Sequence, residues 1–217
     1  MTYDELMRLL IERRALIVHC SRPGKSGDEQ RYGELSGDDL LFPGDLRNAI
    51  DAAVGTGELS CSVIWPGHLK TYGAVGIVLR PRSTDSVRSI SPIDAGSNWD
   101  ETTGKRTGSG VPFTAEAVHE TFANATDYNE WVIGDAECIG IFVHPTEPME
   151  VAARVPMTEV EGFDPSTMMD LGSTVGAVTI DLGMIGSAFP DLPIFTYQDG
   201  RLWRLSDGPA SPYAEPG

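Results

Sequence analysis

Two residues stand where chemistry is often placed. His19 closes the apolar run Ala15–His19 and is followed by Cys20-Ser21-Arg22 and a polar loop. A polar side chain at a strand end facing a loop is a common site position. Imidazole can donate, accept or change charge near neutral pH. Glu130 lies inside Tyr128-Asn129-Glu130-Trp131-Val132-Ile133, a strand-like run in which Glu is a depleted residue type. Facing a cleft, such a carboxylate would stabilise developing positive charge or take up a proton. Each residue also has a plainer reading: a histidine that only caps its strand, and an acid on the solvent face of an edge strand.

Other constellations are weaker. Gly24-Lys25-Ser26 follows a strand, but the first glycine of a phosphate-binding loop would fall at His19, and Gly27-Asp28-Glu29-Gln30 does not begin an apolar helix. The backbone-amide cradle is therefore not expected. His19-Cys20-Ser21 and His119-Glu120-Thr121 resemble the paired words of two-histidine phosphoesterases, although His119 falls in a helical pattern. Neither HxH nor HxxxH occurs, so no metal site is expected.

The elements that must position these groups read as a mixture. Residues 3–14 carry Tyr3, Leu6, Leu9 and Leu10 at helical spacing. Strand 15–19 follows, then a loop over 20–31, and Pro43-Gly44-Asp45 opens a helix with Leu46, Ala49, Ile50 and Ala53 on one face. Strands are predicted at 61–65, 73–80, 128–133 and 138–144, with a helix from Pro112 to Asn124 and a long Gly/Ser/Thr-rich loop over 94–110. Loops of that length are usually functional or disordered. Beyond Pro148, short strands are expected at 150–155, 175–181, 193–197 and 201–205, the last two joined across Gln198-Asp199-Gly200. Strands and helices without regular βαβ alternation give an α+β class. The division is residues 1–148 as the main domain and 149–217 as a C-terminal, β-rich extension packed on it.

Composition bounds the partners. The 217 residues hold 32 Asp and Glu against 16 Lys and Arg, a net charge of −16, and only Lys25, Lys70 and Lys105 are lysines. Such a surface repels phosphate backbones, so nonspecific coating of nucleic acid is disfavoured, while a local arginine-lined pocket is not. No run reaches the ~20 apolar residues that span a bilayer, and the first residues do not read as a signal peptide. Cys20, Cys61 and Cys138 form no CxxC and are odd in number, which fits a reducing cytoplasmic setting.

Three separated words, in order, resemble the ADP-ribosyltransferase fold, and within it the DNA-modifying ADP-ribosyltransferase toxins of toxin–antitoxin systems. They are Val18-His19-Cys20-Ser21, then Val75-Gly76-Ile77-Val78-Leu79-Arg80-Pro81-Arg82-Ser83, then Asn129-Glu130-Trp131-Val132-Ile133 with Ile139-Gly140-Ile141-Phe142-Val143. They cover about residues 15–144. Ile77 and Val78 stand where the family has aromatic residues, and Cys20 where many relatives have Gly. The resemblance implies a split β-sheet core with peripheral helices, NAD as substrate, and transfer of ADP-ribose to a nucleic-acid base, a protein or a small molecule, in a toxin or defence effector. It implies that Glu130 and His19 are catalytic. Ser21, Arg22, Arg80, Arg82 and Tyr72 would bind NAD, the arginines at the pyrophosphate. Tyr72 and Trp131 are the aromatic candidates for stacking on nicotinamide. It further implies that His19 and Glu130 share one cleft with at least one of those arginines, with Trp131 and Asn129 turned to the opposite face. The charge supports an alternative of another class: an acidic, non-enzymatic binding protein of immunity or antitoxin type with a basic protein partner.

Overall fold

A computed structural model describes residues 1–20, 44–55, 57–71, 73–93, 99–100, 105–106, 110–124, 128–156 and 173–214. It shows an α+β chain. Helix α1 (Tyr3–Arg13) starts at a capping box. Thr2 Oγ1 accepts from the Glu5 amide at 3.3 Å and Glu5 Oε2 accepts from the Thr2 amide at 2.7 Å, so two otherwise orphaned N–H groups are satisfied. The helix stops where Arg14 adopts the left-handed conformation and Ala15 N–H bonds back to Leu10 O. Its buried stripe is Leu6 and Leu10.

Strand β1 (Leu16–Cys20) follows, and after it helix α2 (Gly44–Val54), β2 (Glu58–Ile64), β3 (Val75–Pro81) and β4 (Val87–Ser91). The long loop contains a small antiparallel ladder, β5 (Trp99–Asp100) with β6 (Lys105–Arg106). Helix α3 (Ala115–Ala123), capped by Thr114, leads to β7 (Glu130–Gly134) and β8 (Ala136–Val143). Then come β9 (Met149–Pro156), β10 (Ser173–Ile180), α4 (Leu182–Ala188), β11 (Ile194–Gln198), β12 (Arg201–Arg204) and β13 (Gly208–Pro209).

Nine of these strands form one mixed sheet in the order β13-β12-β11-β8-β3-β1-β2-β7-β4. Only β11 with β8 is parallel among its described pairs. The C-terminal strands β11–β13 thus continue the main sheet beside β8, so residues on both sides of position 148 share it. Strands β9 and β10 pair separately along their full length. Helix α2 packs on β2, β3, β7 and β8, and α3 on β4. The core runs continuously through Leu16, Ile17, Val18, Val63, Ile64, Ile77, Leu79, Trp131, Ile133, Ile141 and Phe142. Burying each such side chain contributes roughly 1.5–3 kcal/mol.

Strand β2 is shared between two neighbours, and this is the feature that builds the site. Its second half pairs with β1, from Leu16↔Ile64 to Val18↔Ser62. Its first half pairs with β7, from Glu58↔Gly134 to Cys61↔Trp131. His19 and Cys20 continue on β3, opposite Ile77 and Gly76. The β1–β2 ladder therefore ends at Val18↔Ser62, while β1 runs on beside β3 and β2 beside β7.

Candidate functional site

Three side chains meet just beyond the end of the β1–β2 ladder. His19 Nδ1 lies 2.7 Å from the main-chain oxygen of Ser60. A carbonyl can only accept, so Nδ1 carries the proton and a neutral ring leaves Nε2 as an acceptor. The Ser60 hydroxyl donates to Glu130 Oε1 at 2.8 Å. His19 and Glu130, from strands β1 and β7, thus converge on one residue of β2. Both are half-buried, and Ser60 is exposed, so the group is open to a ligand. Among the described residues no cation lies within ion-pair distance of Glu130. A carboxylate held by a neutral hydroxyl keeps its full charge for a positive centre beside it.

The backbone on either side of Glu130 is fixed. Asn129 is 1% exposed. Its Oδ1 accepts from Val63 N–H at 2.7 Å and its Nδ2 donates to Val63 O at 2.8 Å. The side-chain amide thereby continues the β2–β7 ladder after its last backbone pair, Cys61↔Trp131. Trp131 is fully buried in the core and donates its indole N–H to Thr121 Oγ1 at 3.1 Å. Its burial, next to half-exposed Glu130, follows the alternation of strand side chains. On the other side of β7, Glu130 pairs with Ser91 of β4.

Arg80 and Arg82, expected at the pyrophosphate, are not brought to this place. Arg22, with Ser21 and Tyr72, lies outside the described residues. Arg80 sits four residues along β3 from Gly76, the partner of Cys20, about 13 Å at the usual rise. Its guanidinium donates to Pro212 O and lies 4.0 Å from Glu137. Arg82 lies 3.4 Å from Asp135, in the turn between β7 and β8. Both cations are drawn to acids on neighbouring strands or turns. His119 is exposed on α3 and lines a groove of about 400 Å³ with Met1, Glu5, Arg8, Leu9, Glu12 and Ala115. His19 is not among the residues of that groove, so the structure does not bring the two histidines together.

Thiol chemistry is disfavoured at the site. Burial pushes the Cys20 thiol up to about 12, against smaller opposing effects of hydrogen bonds to the Gly73 backbone and the Thr71 side chain. Burial also raises Cys61, with nearby Cys20 and Glu130 adding to it. Both stay protonated at neutral pH and are poor nucleophiles. No group of three or more His, Cys, Asp or Glu that could hold a metal occurs among the described residues, nor does any helix there long and apolar enough to cross a membrane.

Sequence reasoning missed Ser60 and the clamp that Asn129 makes on Val63. The available signal was the hydroxyl alternation Ser60-Cys61-Ser62 inside an apolar run, which places two polar groups on one side of a strand. Comparison with known protein families, curated proteins and solved structures found no match.

Proposed function

We propose that the chain is an ADP-ribosyltransferase-type enzyme that cleaves NAD and passes ADP-ribose to a nucleophilic acceptor. The observation that carries this reading is the convergence of His19 and Glu130 on Ser60. Their meeting point lies just beyond the last described β1–β2 pair, Val18↔Ser62, where a ligand could reach both side chains.

The chemistry follows from the two side chains. Breaking the bond from ribose C1′ to nicotinamide nitrogen sends the bonding pair to nicotinamide and leaves an oxocarbenium-like ribosyl centre. Glu130 stabilises that charge and accepts a hydrogen bond from a ribose hydroxyl. It then takes the proton from the acceptor as the new bond to C1′ forms. His19, fixed through Nδ1, offers Nε2 to a second ribose hydroxyl. Ser60 holds the carboxylate in place, so little reorganisation is needed when charge develops.

NAD binding tests the reading without knowledge of the acceptor. A thermal-denaturation series with NAD should show saturable stabilisation, about 2.7 kcal/mol at 100 times the Kd. His19→Ala should weaken it. A series flat to millimolar NAD would remove the reading.

A further inference from the structure

A groove lies at the other end of β1. Arg14, Arg201, Leu202, Pro209, Ala210 and Ser211 line this groove of about 330 Å³. Arg14 immediately precedes Ala15 and β1, whereas His19 is near the end of that strand. The protein carries twice as many acids as cations, yet among the described residues this groove is lined by two arginines and no acid. Among the described residues neither arginine is in an ion pair. Like charges facing one concavity repel unless an anion sits between them.

The groove is built rather than incidental. Arg14 has φ 54°, ψ 35°, a helix-terminating position at which glycine is usual and a side chain costs about 1 kcal/mol or more. Tyr197 holds this residue by donating to Arg14 O at 2.6 Å. Arg14 Nη1 donates to Gly200 O at 3.2 Å, which ties its guanidinium to the β11–β12 turn, one residue before Arg201. At this end of α1, Leu10 O accepts from Ala15 N–H and Ile11 O from Arg14 N–H, and Arg14 O beyond them accepts from Tyr197. Ser211 Oγ already accepts from Tyr213 N–H at 3.3 Å, which leaves its hydroxyl proton to donate. Leu202, Pro209 and Ala210 supply an apolar wall.

We propose that this groove binds a phosphate monoester, with Arg14 and Arg201 balancing the dianion, Ser211 as a third donor and the apolar wall taking the organic group. A dianion matches two guanidiniums in charge, and guanidinium pairs with phosphate through paired N–H donors. This proposal does not rest on the NAD reading.

The test is calorimetric titration of the full chain, at constant ionic strength, with phenyl phosphate, inorganic phosphate and benzoate. Phenyl phosphate should bind saturably and more tightly than inorganic phosphate, with benzoate weaker than phenyl phosphate. Arg14→Gly removes the guanidinium while suiting the left-handed backbone, so the fold survives; it and Arg201→Gln should each weaken binding about tenfold. No saturable binding, equal binding of benzoate and phenyl phosphate, or equal affinity in wild type and both variants would each overturn the proposal.

Discussion

His19 and Glu130 are joined through a single residue: the Ser60 carbonyl takes the imidazole Nδ1 at 2.7 Å, and the Ser60 hydroxyl holds the carboxylate at 2.8 Å. The junction exists because β2 changes partner within its length. Where two ladders diverge, backbone groups lose their strand partners and side chains replace them. His19 does this at Ser60, and Asn129 does it at Val63.

Ser60→Ala tests the positioning role. Ser60 is exposed, so its removal should leave the melting temperature nearly unchanged. A hydrogen bond to a charged group is worth about 1.5–3 kcal/mol, so kcat for NAD cleavage should fall roughly 10- to 100-fold with NAD affinity little altered. An unchanged kcat would separate Ser60 from the function of Glu130.

Asn129→Ala should act through stability. It leaves the Val63 N–H and C=O without the partners that now satisfy them, in a buried setting where each unpaired group costs about 1–3 kcal/mol. Urea unfolding should show a loss of about 2–4 kcal/mol. A loss below about 0.5 kcal/mol, the usual range for surface positions, would show that the clamp is not a stabilising element.

The two ends of this junction were legible in the sequence and its middle was not. His19 and Glu130 stood out because each is polar at the end of, or within, an apolar run. Ser60 did not, because the strand was expected to begin at residue 61 whereas β2 starts at Glu58. Arg80 and Arg82 followed a strand next to β1, but sequence neighbours do not reveal which end of an antiparallel pair faces a site. The register puts Arg80 on the side of Leu16. Strand β4 was not anticipated, since Val87-Arg88-Ser89-Ile90-Ser91 is short and half polar; its backbone pairs with β7 give it its place. The first three helices were more legible, α1 through its apolar stripe, a local signal, whereas α4 was not anticipated.

The C-terminal tail reaches the core through Tyr213. Its hydroxyl accepts from Ile17 N–H at 2.9 Å and donates to Leu79 O at 3.0 Å, filling the step beyond the β1–β3 pair Val18↔Val78. Tyr213→Phe preserves the ring and deletes this bridge. Chemical unfolding should register about 2–4 kcal/mol less stability. A neutral substitution would mean that the strands close up without the phenol.

Alkaline pH should destabilise the fold. Burial pushes Cys20 up to about 12 and Cys138 up to about 11, and raises Cys61, Tyr197 and Tyr213 as well. An unfolded thiol loses its proton near 8.5. Between that pH and the folded values the unfolded chain holds fewer protons, so stability falls as pH rises and is unaffected by these groups at lower pH. Urea unfolding should show a loss of about 1 kcal/mol or more from pH 8 to pH 10. A constant unfolding free energy would contradict the burial of these groups.

Nicotinamide release from NAD by the wild-type chain and by Glu130→Gln is the most direct measurement of the central claim. Glutamine keeps the shape and can still meet the Ser60 hydroxyl, but it carries no charge to set against the ribosyl cation. The account predicts measurable release by the wild type, and a fall of about 100-fold or more in the variant with NAD affinity largely kept. Equal release by the two proteins, or none by a wild-type chain shown to be folded, would contradict it.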